Sequence, residues 1–495
     1  MQPITRRDAL KTVAGGALAA PAILHGYRRS GDKPNLLFLW TDQQRANTLA
    51  VYGNRGYHVP VLNDLASRSI VLGRCYDAQP ICTPARSTVM TGLYPHQNGC
   101  VNNGIPLRRE TKAVPELLND SAYRTGYMGK WHLGQESSAQ HGFQEWVSIQ
   151  PKGETHASYH DFLEQLGYKA DKKTHFSDDF AVHLPLDHGK PAFLAGRASQ
   201  FILKNRREPW MLYVNFLEPH PPYFGPLRDL HSDTEAPLPP NYGPGVEREP
   251  VTYQGVRQEL RQASEEELGL AGLPPGEATS EEARRKAFRV LNRYYAGNCS
   301  NVDAAVGRIL WALEASGKAD NTIIAFTTDH GEMGGAHSLA QKSVMYEEAI
   351  HVPMLLRVPW RQSRQVVVAQ PVGHIDLVPT ILELMQGKAA PESLPGQSWL
   401  GLLDGKARRE DHVFIEWKGD RKIRSDARTV ISPDGWKLAL YEKDNCMLFK
   451  RDRDPLEMTN LYYRSEHRAT VRKLRDRIQK WQEQQRDTMP LPEPV

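Results

Sequence analysis

The sequence predicts an α/β fold: a mostly parallel central sheet flanked by helices, with a smaller C-terminal α+β domain. Residues 35–41, 210–217 and 322–328 are continuous apolar runs without polar alternation, so they read as strands buried on both faces. Helical segments at about 281–315 and 375–385 alternate with them, as expected when helices cover both sides of a parallel sheet. Past residue 400, short strands at 413–417, 429–432 and 436–441, a turn at Pro433-Asp434-Gly435 and a charged helix at about 466–486 predict the second, smaller unit.

Taken in order, the chain opens on what reads as an address. Thr5-Arg6-Arg7-Asp8 precedes a mild apolar run from Val13 to Leu24 with Ala-rich cleavage options, the pattern of a twin-arginine signal over residues 1–26. About 12 apolar residues broken by Gly15, Gly16 and Pro21 fall short of the roughly 20 a membrane span needs. A periplasmic or secreted protein carried by the twin-arginine translocase, with no stable membrane span, is therefore expected. Residues 34–400 are read as the main domain and 401–495 as the C-terminal one.

Composition narrows the class. With 495 residues, 40% hydrophobic and 24% charged, the chain can bury a large core. A net charge of +4 without a Lys/Arg block leaves no nucleic-acid footprint. The five cysteines, at 75, 82, 100, 299 and 446, show neither a CxxC pair nor zinc spacing, so no disulfide framework or structural zinc is expected. Stretches at about 147–205 and 219–280 read as insertions around the scaffold. Their His156, Tyr159, His160, His175, His183, His188, Tyr223 and Tyr242 are expected mainly as solvated loop residues that shape access to a site.

Each of the three strands ends in residues that carry chemistry, where open α/β sheets place ligands. Asp42-Gln43 follows the first, Glu218-Pro219-His220 the second and Asp329-His330 the third. Asp42, Gln43, Asp329 and His330 offer hard oxygens and one imidazole, a set for calcium or magnesium that a His tilts toward manganese; singly, each Asp reads equally as a helix cap or turn residue. In Cys82-Thr83-Pro84-Ala85-Arg86, Thr83 reads as an N-cap, Pro84 as the first helical residue and Gly92 as the stop, which puts Cys82 at a helix N-terminus where an anion or activated nucleophile is favoured. Gly129-Lys130-Trp131-His132 brings a cation and an imidazole to one side of an extended backbone. Lys342 and His220 add positive or protonatable groups, and an anionic, tetrahedral substrate is their natural target.

These motifs, in this order, resemble the type I sulfatases of the alkaline phosphatase superfamily. The resemblance rests on Cys82-Thr83-Pro84-Ala85-Arg86 with Thr91-Gly92, Thr41-Asp42-Gln43 with Tyr52-Gly53-Asn54, and Gly129-Lys130-Trp131-His132-Leu133-Gly134. It continues through Thr328-Asp329-His330-Gly331, Lys342 with Tyr346-Glu347, His374-Ile375-Asp376, and the block from Leu448 to Leu461. It implies an alkaline-phosphatase-like fold and oxidation of Cys82 to Cα-formylglycine by a formylglycine-generating enzyme that reads Pro84 and Arg86. One hydroxyl of the hydrated aldehyde would attack the sulfate sulfur to give a sulfo-enzyme, and the second would expel inorganic sulfate. Asp42, Gln43, Cys82, Asp329 and His330 would hold calcium, with manganese or magnesium as alternatives. Arg86 would polarise the attacking hydroxyl, Lys130, His220 and Lys342 would meet the sulfate oxygens or the leaving group, and His132 would orient or deprotonate the diol. The implied substrate is a sulfated small molecule or saccharide. Two departures stand out: many relatives carry Asp at Gln43 and Asn at His330. Both occur in formylglycine-dependent phosphonate monoester and phosphodiester hydrolases, the alternative reading.

Overall fold

The computed structural model describes residues 33–149, 158–173, 175–262, 280–408 and 410–493. The expected export signal and His156 lie outside the described residues. Among the described residues, thirteen strands form two sheets. In the main sheet these are β1 (Asn35–Asp42), β2 (Ile70–Tyr76), β3 (Arg124–Gly129), β4 (Glu145–Val147), β5 (Trp210–Pro219), β6 (Thr322–Thr328), β7 (His351–Val352), β8 (Met354–Arg357) and β9 (Val366–Gly373).

Their order is β4-β3-β5-β1-β6-β8-β2-β7, with β9 beside β2. The stretch from β4 to β6 is parallel throughout, whereas β8 runs antiparallel to both β6 and β2. The three apolar runs are therefore adjacent strands, in the order β5-β1-β6. Alternation explains their uniform apolarity: Leu37 and Leu39 enter one buried cluster, and Leu36, Phe38 and Trp40 enter the cluster on the opposite face.

Helix Glu281–Ala315 covers one face, started by Ser280, whose hydroxyl accepts from Ala283 N at 3.1 Å. Helix Lys190–Lys204 lies on the same face, burying Phe193, Leu194, Ala198, Phe201 and Ile202. It falls in the stretch expected as an insertion, and that expectation is corrected: its apolar stripe makes it part of the scaffold. Tyr159, His160 and Tyr223, expected as solvated, are buried. Helix Leu377–Gln386 packs on the opposite face. Before it, His374 Nε2 meets Thr327 Oγ1 at 3.0 Å and Asp376 accepts from Gly373 N, Gln397 N and Arg408, so the His374-Ile375-Asp376 motif is architectural.

The second sheet is antiparallel, in the order β10 (Val413–Trp417), β11 (Ala427–Ile431), β12 (Trp436–Tyr441) and β13 (Met447–Lys450). Gly435 turns β11 into β12 at φ 88°. Helix Arg468–Gln485 covers one face with Val471, Leu474, Ile478 and Trp481. The other face, including Ile415, Trp417, Ala439, Tyr441 and Phe449, packs on Met333, Leu339, Val344, Met345 and Tyr346 of the main body. All five cysteines are free, and no described helix is long and apolar enough to cross a membrane.

Candidate active site

The carboxyl ends of β3, β5, β1 and β6, neighbours in that order, bring four segments of the chain to one place. Asp42 closes β1, Lys130 follows β3, His220 follows β5, and Asp329-His330 follow β6. Two glycines make this convergence possible. Gly129 turns at φ 111°, and a Cβ there would stand 1.8 Å from the Asn215 carbonyl oxygen; a Cβ on Gly331 would stand 1.9 Å from that of Glu348.

Cys82 arrives from the loop after β2. It is the first residue of helix Cys82–Thr91, with Ile81 as the N-cap and Gly92 in the left-handed conformation at the end. Thr83 is therefore not the cap. Its hydroxyl donates to His132 O at 2.9 Å instead, tying the cysteine's helix to the Lys130 segment. Cys82 Sγ lies 3.3 Å from His330 Nε2 and 3.9 Å from Asp42 Oδ1. Burial and Asp42 push its thiol up, but Lys342, Lys130 and His330 outweigh them and hold it well below the usual range.

Arg86, one turn along that helix, is fully buried over the Trp40 ring at 4.9 Å. Its Nε donates to Asp329 Oδ2 at 2.9 Å and its Nη2 to Asp42 Oδ2 at 2.8 Å, while Nη1 serves Lys130 O and Asn215 Oδ1, each at 2.9 Å. The guanidinium thus fastens two carboxylates rather than reaching for a hydroxyl on residue 82, which alters the role expected from sequence.

Lys130 Nζ adds a bond to Asp42 Oδ2 at 2.6 Å. Although burial works against both ions, Lys130, His220 and Arg86 hold Asp42 well below the carboxylate range, while burial and Asp42's own charge raise Asp329. Asp329 Oδ1 accepts from the backbone N–H of Gln43 at 3.0 Å and of His330 at 2.9 Å. The Gly331 carbonyl accepts from His330 Nδ1 at 3.0 Å, which leaves Nε2 facing Cys82.

Asp42, Cys82, Asp329 and His330 each place a ligand atom within 4.8 Å of the others. Two carboxylates, one oriented imidazole and a fourth position at residue 82 suit a divalent cation. Gln43, expected with them, spends its side-chain amide on other partners. Its amide NH2 donates to Glu332 Oε2 and, at 3.2 Å, to the Tyr223 hydroxyl, so its oxygen faces Lys342 Nζ and accepts from it. Glu332 forces that orientation, and it was not singled out in the sequence; the available signal was a carboxylate three residues after Asp329 in a glycine-rich turn. Asn215, which fixes Arg86, was likewise missed inside an apolar strand.

His220 donates from Nδ1 to Pro221 O at 2.7 Å, and burial, then Lys342, lower its pKa to about 3. The end of β5, between β3 and β1, brings it to the same sheet edge as Lys130 and Asp42. His132 is less tightly held. β3 ends at Gly129 and His132 adopts φ 59°, so the extended geometry expected for Lys130 and His132 does not occur. Its buried ring Nδ1 has no hydrogen-bond partner among the described residues.

The sulfatase family profile matches residues 34–388, and that of the N-sulphoglucosamine sulphohydrolase C-terminal region matches residues 335–484. The chain belongs to the sulfatase family. As a sulfatase it is a sulfuric ester hydrolase of the alkaline phosphatase superfamily. It is 28% identical to the uncharacterized sulfatase YidJ of Escherichia coli (strain K12), over 87% of this chain and 83% of that one. It is 23% identical to the N-acetylglucosamine-6-O-sulfatase of Bacteroides thetaiotaomicron, over 96% and 90%. The phosphonate monoester hydrolase SpPMH from Silicibacter pomeroyi shares the fold with a TM-score of 0.75 at 22% identity, covering 92% of this chain and 96% of that one.

Proposed function

We propose that this sulfatase is an exported enzyme that hydrolyses a sulfate ester of a saccharide through Cα-formylglycine at position 82. The observation that carries the reading is the buried cage itself: Cys82 at a helix N-terminus, walled by Lys130, Lys342 and His330 and backed by the Arg86 fork on Asp42 and Asp329. Such a cage stabilises charge that spreads over equatorial oxygens as the ester bond breaks. The relative that acts on N-acetylglucosamine-6-sulfate by name supports a saccharide substrate, and the Arg6-Arg7 motif supports twin-arginine export after maturation by a formylglycine-generating enzyme.

In this reading one hydroxyl of hydrated formylglycine would attack sulfur as the ester S–O bond breaks and the alcohol leaves with a proton, and loss of the other hydroxyl's proton would then break the C–O bond, restoring the aldehyde and releasing sulfate. Lys130 and Lys342 hold the sulfate oxygens, and His220 meets the leaving-group oxygen. His132, with its unpartnered Nδ1, orients the diol. Asp42, Asp329 and His330 would hold a divalent cation, calcium or with the imidazole manganese, which would supply Lewis-acid charge beside residue 82. Export and domain limits of 34–400 and 401–495 belong to the same proposal.

The His330 nitrogen and the neutral Gln43 favour one alternative, a formylglycine-dependent phosphonate monoester or phosphodiester hydrolase. Both readings are tested together on one purified, formylglycine-containing preparation offered a sulfate ester, a phosphate monoester, a phosphodiester and a phosphonate ester. The sulfate ester is expected to show the highest kcat/KM; a phosphonate ester or phosphodiester ahead of it replaces the first reading by the second.

A further inference from the structure

Lys342 is presented by unusual backbone. It stands between Gln341 at φ 62° and Ser343 at φ 76°, and His337 and Ser338 before it lie at φ 51° and 55°. Left-handed backbone at residues that carry a Cβ persists only where the surroundings over-determine it.

On the inner side, Glu332 Oε1 accepts from Gln341 N at 2.6 Å, and Ser343 N donates to Pro80 O at 3.0 Å, in the loop that leads to Cys82. On the outer side the C-terminal sheet takes over. Met345 is gripped at both of its backbone groups. Its N–H donates to the Tyr253 hydroxyl at 2.7 Å, and its carbonyl accepts from Lys437 Nζ at 2.7 Å. The Tyr253 hydroxyl in turn hydrogen-bonds the Tyr441 hydroxyl.

Lys437 and Tyr441 both belong to β12, four residues apart and therefore on the same face. Lys437 is fully buried and pairs with Glu457, whose other oxygen accepts from Glu347 N at 3.0 Å. Burying an ammonium is costly unless it is paired and hydrogen-bonded, and this one spends a bond on a single carbonyl three residues from Lys342. Around it, Ala439 and Phe449 of the sheet share one buried cluster with Val344, Met345 and Tyr346.

Resting on the reading of Lys342 as an anion-binding cation, we propose that β12 is the template for the strap that carries it. Lys437 is the positioning residue: acting through Met345, it sets where the Lys342 ammonium stands. The C-terminal domain would then be part of the catalytic apparatus while touching no reacting atom.

The test is a double-mutant cycle on the full-length, formylglycine-containing enzyme, comparing Lys437→Met, Lys342→Met and the double variant on whichever ester the wild type hydrolyses. Lys437→Met is expected to lower kcat/KM about 10- to 100-fold in the wild-type background and to add little once Lys342 is gone. An equal loss in both backgrounds, or no loss in the first, overturns the proposal. Tyr253→Phe, which keeps the aromatic body and removes the acceptor for Met345 N together with the bond to Tyr441, is expected to give a smaller loss with the same dependence on Lys342, and it serves if Lys437→Met does not fold. Calorimetric binding of inorganic sulfate separates the two levels of the argument. A wild type that binds no sulfate removes the reading of Lys342 and the proposal with it. Equal affinity in wild type and Lys437→Met removes the proposal alone.

Discussion

Arg86→Lys keeps the positive charge and the buried methylenes but destroys the fork. In the wild type, Nε and Nη2 reach two different carboxylates at 2.9 and 2.8 Å, and Nη1 satisfies a carbonyl and an amide oxygen at 2.9 Å each. A single ammonium cannot span Asp42 and Asp329 together. It retains one carboxylate, gives up one charge-assisted bond worth about 1.5–3 kcal/mol, and leaves Asn215 Oδ1 or the Lys130 carbonyl with one partner fewer. Asp329 keeps the two backbone bonds to Oδ1 but loses the clamp on Oδ2 that fixes the plane of its carboxylate beside Asp42. Because Arg86 orients groups that would hold a metal, the expected result is a metal affinity about 10- to 100-fold weaker, with much of the lost activity restored at saturating metal.

The assay strips the protein with a chelator, returns calcium or manganese in a titration, and follows both bound metal by elemental analysis and hydrolysis of an aryl sulfate. Unchanged metal affinity with activity lost at every metal concentration would refute this reasoning and return Arg86 to the role expected from sequence, direct polarisation of the group on residue 82. Failure of both metals to restore the wild type would refute the metal assignment.

Peptide mass spectrometry of protein made with a formylglycine-generating partner should show Cys82 as the aldehyde, and Cys82→Ala should abolish hydrolysis; an active preparation whose Cys82 is entirely thiol refutes the mechanism. Glu332→Gln should lower kcat/KM about 10- to 100-fold, because its carboxylate accepts four bonds, from Gln43, Tyr223, Gly334 N and Gln341 N, and an amide can accept only half of them, at about 1–3 kcal/mol per orphaned group. Unaltered kinetics would show that the Gln43 orientation is irrelevant. His374 is buried and held down to about 3 by burial, so between about pH 6.5 and 3 the unfolded chain binds a proton that the native state refuses, and stability falls as pH drops through that window. His374→Gln, which removes the titration, should flatten the acid limb of stability against pH, as measured by chemical denaturation; an identical slope from pH 6.5 to 4 would refute the assignment.

What the sequence revealed follows from how each feature is encoded. β1, β5 and β6 are buried on both faces, so burial wrote itself as unbroken apolar runs, and their polar ends marked the edge of the candidate site. That a helix begins near Cys82 and stops at Gly92 was readable because Pro84 and Gly92 act locally, although the helix starts two residues before Pro84, with Ile81 rather than Thr83 as its cap. Helix Lys190–Lys204 was misread because its flanks resemble loop, and its stripe from Phe193 to Ile202 gains meaning only against a sheet. The orientation of Gln43 was beyond reach because it depends on which acceptor stands at which end of an amide, a fact of three-dimensional neighbours such as Glu332. Lys437 left a signal that went unread: a lysine on the face of β12 that also carries Ala439 and Tyr441, where a charge is expected to be paired and buried for a purpose.

The departure at position 43 gains a physical meaning from the cations around it. Arg86 is committed to Asp42 and Asp329, and Lys130 is committed to Asp42. Lys342 instead meets the neutral oxygen of Gln43. An aspartate in that place would pair with Lys342 and spend its charge before any substrate arrived. With glutamine, the amide fixes the ammonium by a hydrogen bond and leaves its charge uncompensated, while Glu332 on the far side keeps the amide from turning over. Compared with an aspartate, Gln43 leaves one negative charge fewer beside Asp42 and Asp329, which would weaken their hold on a cation, and among the described residues no carboxylate pairs with Lys342. On the proposed reading of Lys342 as an anion-binding cation, it would have the most charge to offer an entering sulfate group, and its strap is held from both sides, by Glu332 within and by β12 from without.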